Sequence, residues 1–240
     1  EESFVKLSEG VIDFMNQYTF ANFILGIKGA GFISNKLINS QITLDFAYTL
    51  YLLLNNDNAI EKSQIKHYVA KWFVMSTLTS RYIGSPESQM DFDIKRIREK
   101  GFPTFFREVE EVSLSETFWN IRLVQLLETQ VINIPFFNVF LAAQIYKGDN
   151  ALFSNGTKIS YLITLMGDVH HIFPKQYLRD NGYNERIQYN QIANFTYLDT
   201  QVNKEISDDA PSVYFKNAVE QCERGHTLYG NVSDIDALKQ

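Results

Sequence analysis

The chain has 240 residues, 45% of them hydrophobic, and a formal net charge of −6 at pH 7. This length suits one large domain or two modest ones, and the content of 12 Gly and 5 Pro excludes fibrous and disordered classes, so we expect a folded, soluble globular protein. The acidic balance argues weakly against a free-standing nucleic-acid binder, because phosphate contacts require a basic face.

Helical patterns dominate the chain as far as about residue 150. A connection at 29–42 precedes a predicted helix near 44–55. In the segment 61–78, apolar residues recur at i, i+3, i+4 and i+7 and predict one buried stripe, made of Ile65, Tyr68, Val69, Trp72, Phe73 and Ser76. Three lysines fall outside this stripe and are expected to face water: Lys62, Lys66 and Lys71. His67 is expected to be a core residue with satisfied hydrogen bonds.

Further helix signals follow between residues 95 and 148. The basic cluster at 95–100 is more typical of a solvated helix face than of a DNA contact, and both interpretations stay open. Ser113 and Glu116 have the spacing of a capping box. Pro135 and Gly148 predict the first turn and the end of a helix. This helix is apolar nearly all round, so we expect it to be covered on every side.

The pattern changes near residue 150, where a loop rich in Gly, Asn and Asp begins. The segments 168–173 and 193–200 are short, rich in β-branched and aromatic residues, and predict two strands. Asp208 and Asp209 are predicted caps, and Pro211 the first turn, of a final helix. The predicted order is strand, long loop, strand, short turn and helix.

Cysteine content and the termini limit the class of protein further. The single cysteine, Cys222, excludes an intramolecular disulfide and a cysteine-built zinc site. Cys222 and His226 have the spacing of half a zinc site, but no second pair accompanies them. There is no signal-peptide pattern, and the longest apolar run, 46–54, is too short to cross a bilayer. We expect a cytoplasmic protein without membrane association. Because the chain begins without Met inside a helical pattern, we also expect a piece of a longer protein.

Two of the four histidines, His170 and His171, are adjacent at the end of the first predicted strand. Asn194 lies in the second predicted strand, and Asn203 lies just past it. Two short strands packed on one helix can bring these residues into one cleft. One His and one Asn then suit a divalent metal with open positions, while the second His can take a proton from water. Because adjacent strand residues point to opposite faces, both histidines serve one site only if the strand ends or twists there.

The segments 168–178 and 192–211 resemble the ββα-metal motif of HNH endonucleases. They are most similar to the His-x-x-Pro variant at the end of GmrSD-like modification-dependent restriction proteins. The match covers roughly residues 165–215, and a looser similarity extends to the helical segment 71–88. The resemblance implies a mostly α fold, with a helical linking or scaffold domain at 1–155 followed by an HNH nuclease domain at 156–240.

The resemblance also implies a role for each matched residue. His171 would be the general base that activates water for attack on the scissile phosphate. His170 takes a metal-ligand position that is often Asp in this family, Asn203 is the second ligand, and Asp168 approaches the metal or its waters. Asn194 matches the middle Asn, which supports the loop and orients the base. Taken alone, Asn194 could equally cap or tether a turn.

The same resemblance implies the cofactor, substrate and partners. Mg²⁺ or Mn²⁺ is the expected metal, with Ni²⁺ or Zn²⁺ as alternatives because a His ligand in place of Asp lowers the negative charge. Lys175 and Lys204 are expected to bind DNA, and Pro174 to set the turn leaving the site. A ParB-like, nucleotide-dependent N-terminal domain of a longer protein would license cleavage in restriction or phage defence. The alternative is a catalytically weak HNH-fold module that acts as a helical interaction or nucleic-acid-binding platform.

Overall fold

Thirteen α-helices and two short strands form the part of the chain that the structure, a computed structural model, describes: residues 2–57, 60–129, 134–152, 156–165 and 168–224. The expected mostly α fold is confirmed. The chain divides into two compact units, Glu1–Val124 and Gln125–Gln240, which we call unit 1 and unit 2. The predicted functional boundary between 155 and 156 stays a prediction. None of the described helices is both long and apolar enough to cross a membrane.

The described part of unit 1 contains six α-helices and a short 3-10 helix (Asn35–Leu37), followed by a π-turn. The α-helices are α1 (Glu2–Phe14), α2 (Gln17–Gly29), α3 (Gln41–Asn55), α4 (Lys62–Leu78), α5 (Pro86–Lys100) and α6 (Phe102–Ser113). The π-turn spans Phe118–Arg122 and continues into α7 (Leu123–Leu127). The predicted connection at 29–42 and the helix after it are confirmed.

The predicted stripe on α4 forms the centre of the unit 1 core. Five of its residues are buried and Tyr68 is half-buried, as the helical spacing requires. Lys62 and Lys71 face water as expected, whereas Lys66 is half-buried and donates to Asn22 Oδ1 at 3.2 Å. The prediction for His67 is wrong: this side chain is exposed, because it lies on the polar side of the same helix.

A buried charge network joins α4 and α5. The Asp93 carboxylate is fully buried and accepts from Arg81 Nε at 2.8 Å and from Arg81 Nη2 at 2.5 Å. Tyr82 Oη donates to Asp93 at 2.9 Å, and Gln89 Nε2 does so at the same distance. Burial and the nearby Asp93 raise the pKa of Tyr82, so its hydroxyl stays a donor. Trp72 Nε1 in turn donates to Tyr82 Oη at 3.0 Å.

Most of the basic cluster at 95–100 is neutralised by carboxylates. Three of its four cations form ion pairs: Lys95 with Asp91, Arg96 with Glu99, and Lys100 with Glu108. Arg98 is exposed and has no ion pair among the described residues. Local pairing of this kind is typical of a solvated helix face.

One helix-end prediction and one burial prediction need correction. Ser113 is the last residue of α6 rather than an N-cap, because the chain turns at Leu114 and becomes helical again at residue 116. The predictions for Pro135 and Gly148 are confirmed, because they mark the first turn and the end of the helix Pro135–Lys147, where Gly148 adopts the left-handed conformation that favours glycine (φ 70°). The prediction that this helix is covered on every side is wrong, since Phe140 is 51% and Tyr146 is 73% exposed.

Unit 2 contains a two-stranded sheet with short helices before, between and after its strands. Its helices before and inside the hairpin are α8 (Pro135–Lys147), α9 (Ile159–Leu165), α10 (Lys175–Asp180) and α11 (Arg186–Tyr189). The strands are β1 (Asp168–His171) and β2 (Phe195–Leu198), followed by α12 (Thr200–Ile206) and α13 (Pro211–Glu223). The strands are antiparallel, with His170 opposite Thr196 and His171 opposite Phe195.

The connection after β2 is helical, which the sequence prediction missed. Asp199 begins α12 by accepting from Gln201 N at 2.9 Å, so Asn203 lies on a helix and not in a turn. Asp208 and Asp209 make no capping bond among the described residues, and the Ala210 carbonyl starts α13 instead. A small core packs this region, made of Leu198, Val202, Ile206, Tyr214 and Ala218.

Candidate metal and catalytic site

Asn194 holds the long loop between β1 and β2 in place. It ends a 3-10 turn (Ile192–Asn194) directly before β2, whereas the sequence placed it inside the strand. Its buried side chain accepts from Phe173 N at 2.7 Å and donates to Phe173 O and Tyr189 O, each at 3.0 Å. All three bonds go to backbone, so Asn194 tethers both ends of the loop. A catalytic effect of Asn194 stays a prediction and would act through this loop.

The residue after His171 is fixed from two sides. Ile172 N donates to the Asn194 carbonyl at 2.8 Å. Tyr214 Oη, from α13, donates to the Ile172 carbonyl. Burial raises the pKa of Tyr214, so its hydroxyl keeps the proton that this bond needs. The backbone that carries His171 is therefore held by the loop tether and by α13 together.

His171 is half-buried at the end of β1, and its side chain makes one hydrogen bond within the described part of the chain. Its Nε2 lies 2.8 Å from Asn190 Oδ1, and its ring meets Phe195 edge-on at 4.8 Å. An amide oxygen only accepts, so in the neutral ring this bond requires the proton on Nε2 and leaves the lone pair on Nδ1. Nδ1 has no hydrogen-bond partner among the described residues. The bond to Asn190 therefore fixes the orientation of the ring.

Asn190 is a site residue that sequence reasoning missed. It lies 19 positions beyond His171, in a loop whose path no short-range spacing reveals. Its position directly after Tyr189, whose carbonyl Asn194 holds, is what places it beside the imidazole. Asn190 is thus a positioning residue for His171.

Replacing Asn190 by Ala should release the His171 tautomer. We expect the wild-type ring to hold its proton on Nε2 and the variant to show a mixture, because the fixed acceptor is gone. Imidazole ¹⁵N chemical shifts above the histidine pKa measure this ratio. Asn181→Ala is the control, since that exposed amide bonds only within its own turn, to Tyr177 O at 2.8 Å. Equal tautomer ratios in wild type and Asn190→Ala would contradict the assignment.

His170 presents an unpartnered nitrogen inside the protein. The side chain is only 7% exposed, and its Nε2 has no hydrogen-bond partner in the described structure. Burial lowers the pKa of His170 below its ordinary value, the nearby Asn203 side chain partly offsets this, and the neighbouring His171 lowers it further. An unsatisfied buried polar group costs about 1–3 kcal/mol. A ligand atom at Nε2 would remove this cost, which makes the nitrogen a candidate metal donor.

The structure brings the predicted ligands His170 and Asn203 together. Asn203 is half-buried on α12, and α12 packs on β1, so the amide faces the buried imidazole. His171 follows His170 directly in β1, and its charge lowers the pKa of His170. That both side chains serve one site stays a prediction, because successive strand residues point to opposite faces. The side chain of Asp168 lies outside the described part of the structure.

The donor set suits a metal that keeps open positions. No group of three or more His, Cys, Asp and Glu side chains comes together in the described part of the chain. Imidazole and amide oxygen are nevertheless suitable donors for a divalent ion that takes its other ligands from water and phosphate. His226 and the side chain of Cys222 lie outside the described residues, so the half zinc site stays a prediction.

Cationic side chains lie on the helix that follows the base. Lys175 is exposed on α10, directly after the buried Pro174 that begins this helix. Its ammonium lies 5.3 Å from the Tyr189 ring centroid, and the Arg179 guanidinium lies over the same ring at 5.1 Å. Arg179, which sequence reasoning did not select, shares a helix face with Lys175 through i, i+4 spacing. Lys204 is exposed on α12, directly after Asn203.

The metal-free chain should lose stability as the pH falls below 6.5, the ordinary pKa of histidine. Because the folded-state pKa of His170 is lowered, the unfolded chain binds more protons in this range. The contribution of neutral His170 to the free energy of unfolding is therefore complete above the unfolded-state pKa. It is lost as the pH falls through the folded-state pKa. Denaturant unfolding in EDTA at a series of pH values measures this loss. His170→Gln should reduce the pH dependence, and an unchanged dependence would contradict the expectation.

No protein-family model and no solved structure matches the chain. Over 162 residues, or 63% of this chain, it is 30% identical to an uncharacterized protein of Methanocaldococcus jannaschii. The match covers 25% of that protein, so the chain spans about a quarter of the length of this relative. The function is therefore inferred from the geometry of the described residues.

Proposed function

We propose that this chain is a metal-dependent DNA endonuclease of the HNH type. In this proposal β1, β2 and α12 form the ββα-metal unit. The observation that carries it is the buried, unpartnered Nε2 of His170 beside Asn203, with the oriented His171 as the next residue. A metal donor pair next to a free imidazole lone pair is the set of groups that phosphodiester hydrolysis by activated water requires.

The chain's own residues would divide the reaction between them. Nδ1 of His171 takes a proton from the attacking water, while Asn190 holds the ring through Nε2. His170 and Asn203 hold the metal, which supplies charge neutralisation at the phosphate when bound. Asn194 holds the loop, and with it the base, in position through its three hydrogen bonds to the backbone.

DNA would approach over α10 and α12. Lys175, Arg179 and Lys204 are exposed, and none of them has an ion-pair partner among the described residues. Cations in this state are free to contact phosphates, which position DNA without reading its sequence. Because these contacts are few, target recognition is assigned to a ParB-like, nucleotide-dependent domain of a longer protein. This arrangement suits modification-dependent restriction of phage DNA.

Plasmid cleavage across metals tests the proposal. The chain is incubated with supercoiled plasmid in Mg²⁺, Mn²⁺, Ni²⁺, Zn²⁺ or EDTA. We expect slow nicking with at least one metal, none in EDTA, and none with His170→Ala. Cleavage that persists in EDTA, or the absence of cleavage with every metal, would overturn the proposal.

Metal binding separates the roles of the two histidines. His170→Ala should abolish or strongly weaken binding of the active metal, because it removes the buried donor nitrogen. His171→Ala should leave binding nearly unchanged, because Nε2 of His171 already bonds Asn190. Isothermal titration calorimetry on both variants measures this difference. The reverse pattern would show that the two roles are exchanged.

A second candidate function is a catalytically weak module whose helical unit serves as an interaction platform. The observation that favours it is the exposure of large apolar side chains on α1 and the turn after it, among them Phe4, Leu7, Ile12 and Met15. A chain that binds DNA or metal but leaves plasmid intact under every condition would support this candidate over the nuclease.

A further inference from the structure

Unit 1 contains a polar cavity that belongs to neither the hairpin nor α12. Its volume is about 480 Å³, and it lies between the end of α4, the first turns of α5, and residues 112–122. Five hydroxyl side chains, one amide and two arginines line it, and none of the described lining residues is acidic. Hydroxyl, amide and guanidinium donors without a competing carboxylate are the groups that bind phosphate oxygens.

Arg81 lines one side of the cavity, and its guanidinium is held in place by neighbouring groups. Asp93 accepts from Nε and Nη2 of Arg81, and the guanidinium lies 5.2 Å from the Trp72 ring centroid. These contacts fix the plane of the guanidinium. Since Asp93 also offsets its charge, Arg81 provides a fixed donor more than a net positive charge.

Arg122 supplies the uncompensated charge. Its side chain is exposed, lines the cavity, and has no ion pair or hydrogen bond among the described residues. It ends the π-turn Phe118–Arg122, whose hydrogen bonds run from i to i+5. A regular α-turn would place Thr117 and Arg122 on different sides of the helix, whereas the π-turn lets both line the cavity. Such turns are frequent at functional sites.

One residue that lines the cavity has a strained backbone. Ser80 has φ 55°, and it follows α4 at the position where glycine usually ends a helix. Arg81 N donates to Ser76 O at 3.0 Å and Ser80 N donates to Thr77 O at 3.4 Å, which are the two bonds of a Schellman motif. A serine here costs backbone energy that glycine would not, and its side chain lines the cavity.

We propose that this cavity binds a phosphodiester group of nucleic acid. Arg122 provides one uncompensated positive charge, which matches the single negative charge of a diester better than the double charge of a terminal phosphate. Arg81 and the hydroxyls of Ser80, Ser115 and Thr117 donate hydrogen bonds to its oxygens. Unit 1 would then hold the DNA backbone at a site of its own, and this site does not depend on whether unit 2 cleaves.

Titration with small phosphates tests the proposal on the full chain. The probes are the dinucleotide d(TpT), its uncharged methylphosphonate analogue, dTMP and inorganic phosphate, with backbone amide shifts of residues 79–81 and 115–122 as the readout. We expect d(TpT) to shift these amides and the methylphosphonate to leave them unmoved. Stronger binding of dTMP or inorganic phosphate than of d(TpT) would overturn the diester assignment.

Variants locate the binding site. Arg122→Gln should weaken d(TpT) binding roughly tenfold or more, as expected for loss of a charge-assisted bond. Arg98→Gln is the matched control, because it removes another exposed arginine from the same unit, one that does not line the cavity, and should change affinity less than about twofold. Ser80→Gly should fold at least as well, since it relieves the left-handed strain, and yet bind more weakly. Wild-type affinity in Arg122→Gln, or equal losses in Arg122→Gln and Arg98→Gln, would overturn the proposal.

Discussion

His171→Ala is expected to lower metal-dependent DNA cleavage by roughly 10²- to 10⁴-fold, the usual contribution of a general base. The variant removes the only described imidazole nitrogen at this site that has a lone pair and an orienting partner on the opposite side of the ring. The loop should keep its place, because Asn194 holds it through Phe173 and Tyr189 and not through the imidazole. Single-turnover cleavage of a labelled duplex measures the effect.

The matched control for this change is His67→Ala. His67 is an exposed histidine on α4, so its loss should leave cleavage within about twofold, as for surface substitutions generally. Imidazole added to the reaction should partly restore His171→Ala, because a free base can then occupy the space. Full activity in a folded, metal-binding His171→Ala chain would rule out His171 as the base.

Asp93→Ala is expected to destabilise unit 1 by about 3–5 kcal/mol, the cost of leaving a buried ion-pair partner uncompensated. Arg81 would keep its buried charge, and Tyr82 and Gln89 would lose their shared acceptor. Both tryptophans of the chain, Trp72 and Trp119, lie in unit 1. Guanidinium unfolding followed by tryptophan fluorescence therefore reports on this unit.

Asp91→Ala provides the control for the buried carboxylate. Asp91 also forms an ion pair on α5, with Lys95 at 2.6 Å, but both side chains are largely exposed. Exposed pairs of this kind contribute at most about 1 kcal/mol, so the midpoint should barely move. Equal midpoint shifts in the two variants would show that burial of Asp93 does not govern stability.

The sequence predicts those features that depend on local periodicity. The α4 stripe follows from residues three and four apart, and Pro135 and Gly148 mark their helix by backbone preference alone. Burial on every side of that helix is not a local property, and here the prediction is wrong. His67 was misplaced for a related reason, since a histidine between lysines fits a polar face as well as a core.

The candidate site is predictable in its chain order but not in its contacts. His170, His171 and Asn203 are recognisable because short spacing and a family resemblance select them. Asn190 and Arg179 belong to the loop between the strands, and their positions depend on bonds that Asn194 and Tyr189 make across it. No pattern in the sequence predicts those bonds, so Asn190 and Arg179 can be assigned to the site only from the structure.

The bond from Tyr214 to the Ile172 carbonyl has a consequence for fragment design. The two residues are 42 positions apart, and Tyr214 lies on a helix beyond β1, β2 and α12. A minimal fragment cut at the end of α12 would contain all the proposed ligands and the base, yet it would lack one of the two anchors of the backbone beside His171. Any shortened or transplanted version of this hairpin should therefore extend through α13.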